Sequence, residues 1–351
     1  MKFFQRSGFN AARVFVTSTS DLRKFIGDTN WGKNLNGIMV TNKQEYLKAI
    51  EMLRTPQGRT ETGWVTPFKW TQMYKEINTV SLSIYGSDEN TINSLNSINI
   101  KTLIVQQIGC LGGGKVTFES TNPDDSIYWT DRWEYYKFSY AMAVWAWSKK
   151  VSMIEILNEP DLFLDACLDA EMYKNYYYIR GVSIQDAYSD LNAVDPANEI
   201  KIQVVASAFA RFKYGGDETK YLGDVSIKNR HFMFGKDEIN RNWTNMHVYS
   251  YHVYDRSGYN MINDLKSVRD SIKSDTEDEI PVILTEFNTH TAANYDTLTT
   301  TPDSIEEAST LASLFMYLIE AKMNTFYAFK FSITPLSGKV KKMDFIGERI
   351  R

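Results

Sequence analysis

The feature that most limits how this chain can fold is an alternation. Short apolar runs of strand length keep giving way to longer stretches with a helical period. Strand-like runs lie at 11–16, 102–108, 153–157, 200–206, 246–254, 281–287 and 325–331. Amphipathic or apolar helical patterns lie at 45–53, 91–98, 132–149, 172–191, 261–274 and 304–322. Strand–helix repetition of this kind implies a parallel sheet with helices packed outside it. Seven or eight such strands in one unbroken series point to an α/β fold, a (β/α)8 TIM barrel, rather than a doubly wound sheet. Asp131 and Asp303 are expected as N-cap or first-turn acids. Residues 56–85 are irregular, with one further strand expected at 80–85. No repeat, low-complexity tract or Pro/Gly-rich linker divides the chain. The expectation is a single domain over 1–335 followed by a tail over 336–351.

Composition removes several classes of partner. The 351 residues carry 39 basic and 43 acidic side chains, a formal charge of −4, so the basic excess of a nucleic-acid-binding domain is missing. The longest apolar stretches are far too short to cross a bilayer, and 1–7 has no signal-peptide core. No nucleic-acid or membrane partner is expected, and the chain is expected to be a monomer. Cys110 and Cys167 cannot form a disulfide framework or a four-cysteine zinc site; one bridge or two free thiols both remain open. The four His and two Cys show no metal-ligand spacing, so neither metal nor cofactor is expected. The chain opens as if on the last turn of a helix capped by Gly8, which reads either as a short N-terminus or as one missing its first strand.

In a barrel, chemistry sits at the C-terminal ends of the strands. Two glutamates stand there. Glu159 follows the run 153–157 in Ile156-Leu157-Asn158-Glu159-Pro160, and Pro160 stops the strand. Glu286 ends another run in Leu284-Thr285-Glu286-Phe287-Asn288. A lone strand-terminal glutamate is most simply a solvated loop acid. Two of them, three strands apart on one barrel mouth, match what glycoside hydrolysis requires: one acid protonates the leaving oxygen, the other attacks or activates water.

The motifs Asn158-Glu159-Pro160 and Thr285-Glu286-Phe287 resemble those of the clan A retaining glycoside hydrolases. More narrowly, TDRWEYYKFSYAMAVWAW…IEILNEPDL within 129–162, and TEFNTHTAANYDTL…YAFKFSIT within 285–334, resemble glycoside hydrolase family 86, the β-agarases and β-porphyranases. The resemblance covers about 102–342. It implies an endo-acting enzyme that cleaves β-1,4 links in agar-type galactans by double displacement, and an extracellular location. It also implies that Glu159 is the general acid/base and Glu286 the nucleophile. Two carboxyls this close cannot both ionise cheaply, so one keeps its proton, and the resemblance makes Glu159 that one.

The resemblance extends to supporting residues. His252 and Tyr254 match a His-x-Tyr whose Tyr hydrogen-bonds the nucleophile. Arg13 matches a second-strand Arg that holds the nucleophile ionised, which would leave the first strand outside this chain. Asn158, Asn288, His290 and Lys330 are expected as substrate-binding or supporting groups. His247 and His252, five apart on one strand, should face opposite ways, His247 being structural. Trp129 and Trp133 are candidates for sugar stacking. Two other readings stand beside this one. A catalytically degenerate carbohydrate-binding barrel, or a clan A hydrolase of another β-glycan, would carry the same fold. The stretch Gly109-Cys110-Leu111-Gly112-Gly113-Gly114-Lys115 fits a phosphate-binding loop, but Val116 replaces the required Ser or Thr and no helix follows.

Overall fold

The computed structural model describes residues 11–17, 39–54, 86–107, 119–160, 170–208, 244, 246–254, 258–288, 313, 316–318, 326–328 and 347–348. In chain order these form β1 (Ala11–Thr17), α1 (Lys43–Arg54), α2 (Gly86–Asn96), β2 (Lys101–Gln107), α3 (Ser126–Ser148), β3 (Met153–Glu155) and α4 (Ala170–Val194). There follow a 3-10 turn (Pro196–Asn198), β4 (Gln203–Val205), β5 (Tyr249–Tyr254), α5 (Gly258–Thr276), β6 (Val282–Asn288), β7 (Phe326–Ala328) and β8 (Gly347–Glu348). The expected elements at 80–85 and about Asp303, both cysteines, the glycine-rich stretch 109–115, His290 and Lys330 lie outside the described residues.

The strands form one sheet in the order β4-β3-β2-β1-β8-β7-β6-β5, parallel except for β8. β8 is a two-residue antiparallel strand, pairing Gly347 with Ala11 on one side and with Tyr327 on the other. It lies between β1 and β7, the place that reading 11–16 as a second strand reserves for a first. The expected tail over 336–351 therefore contributes a strand, one too short to show any period in the sequence. At the other end of the order, β4 meets the residues leading into β5. His247 donates its amide to the Val204 carbonyl at 2.8 Å and Ala206 donates to the Val248 carbonyl at 2.9 Å, around a parallel Val205–Val248 bridge.

Alternation along the strands separates two faces. Ala11, Phe15, Leu103, Val105, Met153, Val205, Val248 and Ile283 form one apolar cluster on the inner face. Val16, Ile104, Ile154, Val204 and Leu284 point the other way, into a larger cluster shared with the helices. α3 is the centre of that outer layer. Its sequence lacks an amphipathic stripe, and nearly every side chain from Tyr128 to Trp147 is buried, as an apolar-all-round helix requires. Nine aromatic residues lie on this one helix. Trp133 stacks on Tyr136 inside the core, so it has no open ring face for a sugar. Trp129 packs on Tyr46 and gives its indole N–H to the Pro123 carbonyl.

Two helix ends feed strands by the same device. Lys150 after α3 and Asn99 after α2 take positive φ, 58° and 60°. The next amides, of Val151 and Ile100, return to the Ala146 and Leu95 carbonyls at 3.1 and 3.0 Å. This is a Schellman closure, and its apolar following residue, buried in both cases, turns the chain straight into β3 and β2. Asp131 differs from its expected capping role. Asp125 precedes α3, while Asp131 lies a turn and a half inside it and accepts the Glu119 amide at 2.7 Å.

Candidate active site

Arg13 is the hub of the inner face. It shares that face with Ala11 and Phe15, and its guanidinium lies over the Phe15 ring at 4.7 Å. Its donors reach β3, the residues just after β3, and β6. Nε donates to Glu155 Oε2 at 2.8 Å, Nη1 to Glu286 Oε1 at 2.5 Å, and Nη2 to Asn158 Oδ1 at 2.8 Å. All four side chains are buried, Glu155 completely. Burial alone would lower the pKa of Arg13, but the charges of Glu155 and Glu286 and the bonds to them more than offset it. The net shift is upward. The guanidinium is a permanent charge here.

Glu286 reaches the inner face by an irregularity. Leu284 on the same strand points outward, so strict alternation would send Glu286 outward as well. The register between β5 and β6 slips at this point: Tyr251 pairs Leu284, and the next residue, His252, pairs Glu286. Thr285 is the extra residue of a bulge, and the bulge turns Glu286 inward, where it is 3% exposed.

Glu159 arrives by a different route. β3 ends at Glu155, short of the expected 157, but its pairing resumes with an Asn158–Ala208 bridge and the Glu159 amide on the Ala208 carbonyl at 2.9 Å. Glu159 itself has φ 44°, a left-handed value that costs a residue with a Cβ on the order of 1 kcal/mol. Its carboxylate meets His252, whose Nδ1 lies 2.8 Å from Glu159 Oε1 and 3.6 Å from Glu286 Oε2. Asn158 Nδ2 approaches Glu159 Oε2 at 3.5 Å. One ligand atom from each of Glu159, His252 and Glu286 lies within 4.8 Å of the other two.

Glu159, Glu286, Arg13, Asn158 and His252 thus converge, from β1, the end of β3, β5 and β6. Tyr254 and Asn288 are placed by backbone alone, opposite one another in the β5–β6 register. His247 faces away from the cluster. Its Nδ1 accepts the Val204 amide at 3.0 Å, and burial lowers its pKa. The sequence reading did not single out Glu155, or Ser250, whose hydroxyl lies 3.3 Å from Glu155 Oε1 and donates to the Ala206 carbonyl at 2.6 Å. A signal for Glu155 existed: one acid inside the apolar run Met153-Ile154-Glu155-Ile156-Leu157, on the same face as Met153.

Chemically, the arrangement offers two carboxyls at attack distance across a small gap. Arg13 fixes one of them as a carboxylate, while the other faces an imidazole that can pass or take a proton. The same His and two Glu are also the residues that could hold a small cation, a clustering that chain spacing cannot reveal because three strands supply it. Glu286 is already charge-paired with Arg13, which weakens it as a ligand.

No protein-family model and no curated protein sequence matches the chain. Solved structures do. A GH5-4 broad-specificity endoglucanase from an uncultured bacterium superposes at a TM-score of 0.50 and 13% identity, over 94% of this chain and 77% of that one. An endo-β-1,4-glucanase of Xanthomonas axonopodis pv. citri carrying a triple mutation gives 0.47 at 12% identity, over 92% and 75%. A glucosidase from Croceicoccus marinus gives 0.46 at 12% identity, and the chain spans 47% of its length. The chain shares with the GH5-4 endoglucanase an α/β fold of parallel strands in one sheet with helices packed on it.

Proposed function

We propose that this chain is an endo-acting retaining glycoside hydrolase. The observation that carries the proposal is the pair Glu159 and Glu286, with carboxyl oxygens within 4.8 Å and Arg13 on Glu286 alone of the two. Retaining enzymes hold their carboxyl groups about 5–5.5 Å apart, whereas inverting ones need several ångströms more to admit a water. In the first step Glu286 attacks the anomeric carbon while Glu159 protonates the departing oxygen. In the second, Glu159 takes a proton from water, which displaces the sugar from Glu286. His252 holds the Glu159 carboxyl in reach of the leaving oxygen. Asn158, bonded to Arg13, fixes the turn on which Glu159 sits.

The substrate we propose is an agar-type galactan, agarose or porphyran, cut at β-1,4 links outside the cell. Support comes from the TEFNTHTAANYD and FKFS motifs, with Tyr254, Asn288, His290 and Lys330 as further contacts to nucleophile and sugar. The test is reducing-sugar release from agarose, porphyran, carrageenan and β-glucans. Oligosaccharides from a red-algal galactan, with little early monosaccharide, are expected. Hydrolysis of only cellulose, xylan or mannan would overturn the galactan assignment and leave the two-carboxylate chemistry intact. Glu159→Ala should keep activity on substrates with good leaving groups and form a β-glycosyl azide when azide is added, and Glu286→Ala should do neither.

A further inference from the structure

We propose that Glu155 is a positioning residue that divides the charge of Arg13, leaving Glu286 ionised yet free enough to attack. This inference rests on the retaining reading above for its catalytic meaning. Its structural basis is separate. Glu155 sits on β3 beneath the mouth, has no exposed surface, and takes the Nε edge of Arg13 at 2.8 Å, while Glu286 takes Nη1 at 2.5 Å. A wholly buried carboxylate is costly unless paired, and this one is paired with the same cation that serves the nucleophile.

The geometry gives the second acid a purpose. With Glu155 absent, the whole of a desolvated positive charge would fall on Glu286, giving a stable carboxylate and a poor nucleophile. With Glu155 present, one guanidinium faces two carboxylates and its pull on each is reduced. Glu155 also anchors Arg13 from the side opposite Glu286, so the Nη1 donor cannot swing away as the ester forms. Charged and titratable groups bearing on Glu286 include Arg13 on β1, Glu155 on β3, Glu159 after it and His252 on β5. Ser250 completes the Glu155 cradle with a neutral hydroxyl.

The test replaces charge and keeps shape. In Glu155→Gln the amide oxygen can still accept from Arg13 Nε, and the amide N–H₂ can donate to Ser250. Protein labelled with 13C at the glutamate carboxyl carbon is titrated by NMR, with the Glu286 signal assigned from its loss in Glu286→Gln. The midpoint of Glu286 should fall by about one pH unit, as expected for losing a like charge at this range. The acid limb of kcat/KM should move the same way, with kcat reduced at least tenfold and KM little changed. An unmoved midpoint in a folded Glu155→Gln protein would overturn the proposal and leave Glu155 a structural residue. Where that variant does not fold, Glu155→Asp serves. It retains the charge, so the midpoint should stay within about a third of a unit while kcat falls. A wild-type kcat in Glu155→Asp would overturn the anchoring role. A shifted midpoint in a protein that hydrolyses no β-glycan would refute the proposed function while sustaining the charge division.

Discussion

Removing Arg13 should be the most damaging single change on the inner face, and its cost can be worked out from contacts. In Arg13→Met the apolar stem is kept over Phe15, but three bonds, at 2.8, 2.5 and 2.8 Å, are lost. Among the described residues Glu155 would retain only the 3.3 Å approach of Ser250, whose hydroxyl is better engaged by Ala206. Leaving a buried charge without its partner costs about 3–5 kcal/mol. Two carboxylates lose this cation, but one can protonate, so the total should stay near one such cost. The sign with pH follows. Freed, buried carboxyls hold protons that the unfolded chain releases near pH 4, so the stability of the variant falls as pH rises. The deficit against wild type should be largest at pH 7 and shrink on acidification towards pH 4. Urea unfolding at both pH values measures it. Arg13→Met combined with Glu155→Gln should recover part of the loss at pH 7, because it removes one orphaned charge. A deficit below about 1 kcal/mol, equal at both pH values, would refute the reasoning.

Other outcomes follow from the helical layer. Asp186, wholly buried, accepts the Tyr136 hydroxyl at 2.6 Å and pairs with Arg54 at 2.8 Å; Asp186→Ala should lower stability by about 3 kcal/mol in urea unfolding, and Asp186→Asn by less. Burial, partly opposed by the Glu119 amide, holds the Asp131 carboxyl up at about 6. The folded chain therefore keeps a proton that the unfolded chain loses near pH 4. Thermal midpoints should decline from about pH 4 to pH 6, and Asp131→Asn should flatten that slope. Burial lowers the pKa of His247, whose Nδ1 accepts the Val204 amide. As pH falls through its ordinary pKa of about 6.5 the unfolded chain takes up the proton before the folded one, so acidification costs stability that His247→Gln should spare.

The parts of this molecule that were legible in the sequence are those with a period. The runs at 11–16, 102–108 and 281–287 became β1, β2 and β6 within a residue or two, because a buried parallel strand is a continuous apolar run. The helices were legible in their centres and short at their ends. α3 began at Ser126, six residues before the expected 132, because its first turns carry Thr130 and Asp131, polar residues buried by tertiary contacts. Glu159 and Glu286 were legible as acids at strand ends. The bulge at Thr285 was not, since Ile-Leu-Thr-Glu-Phe reads as a regular strand and only the β5 register reveals the slip. Glu155 escaped for a related reason: its partner Arg13 is 142 residues away, and only the sheet order brings them together.

The measurement that bears most directly on the central claim is the anomeric configuration of the first product. Proton NMR recorded during hydrolysis of a β-linked galactan or glucan by the wild-type protein separates the two anomers before mutarotation. Glu159 and Glu286 at their observed separation predict that the β-anomer appears first, and that Glu286→Ala abolishes it. First appearance of the α-anomer, or unchanged turnover in Glu286→Ala, would contradict the account.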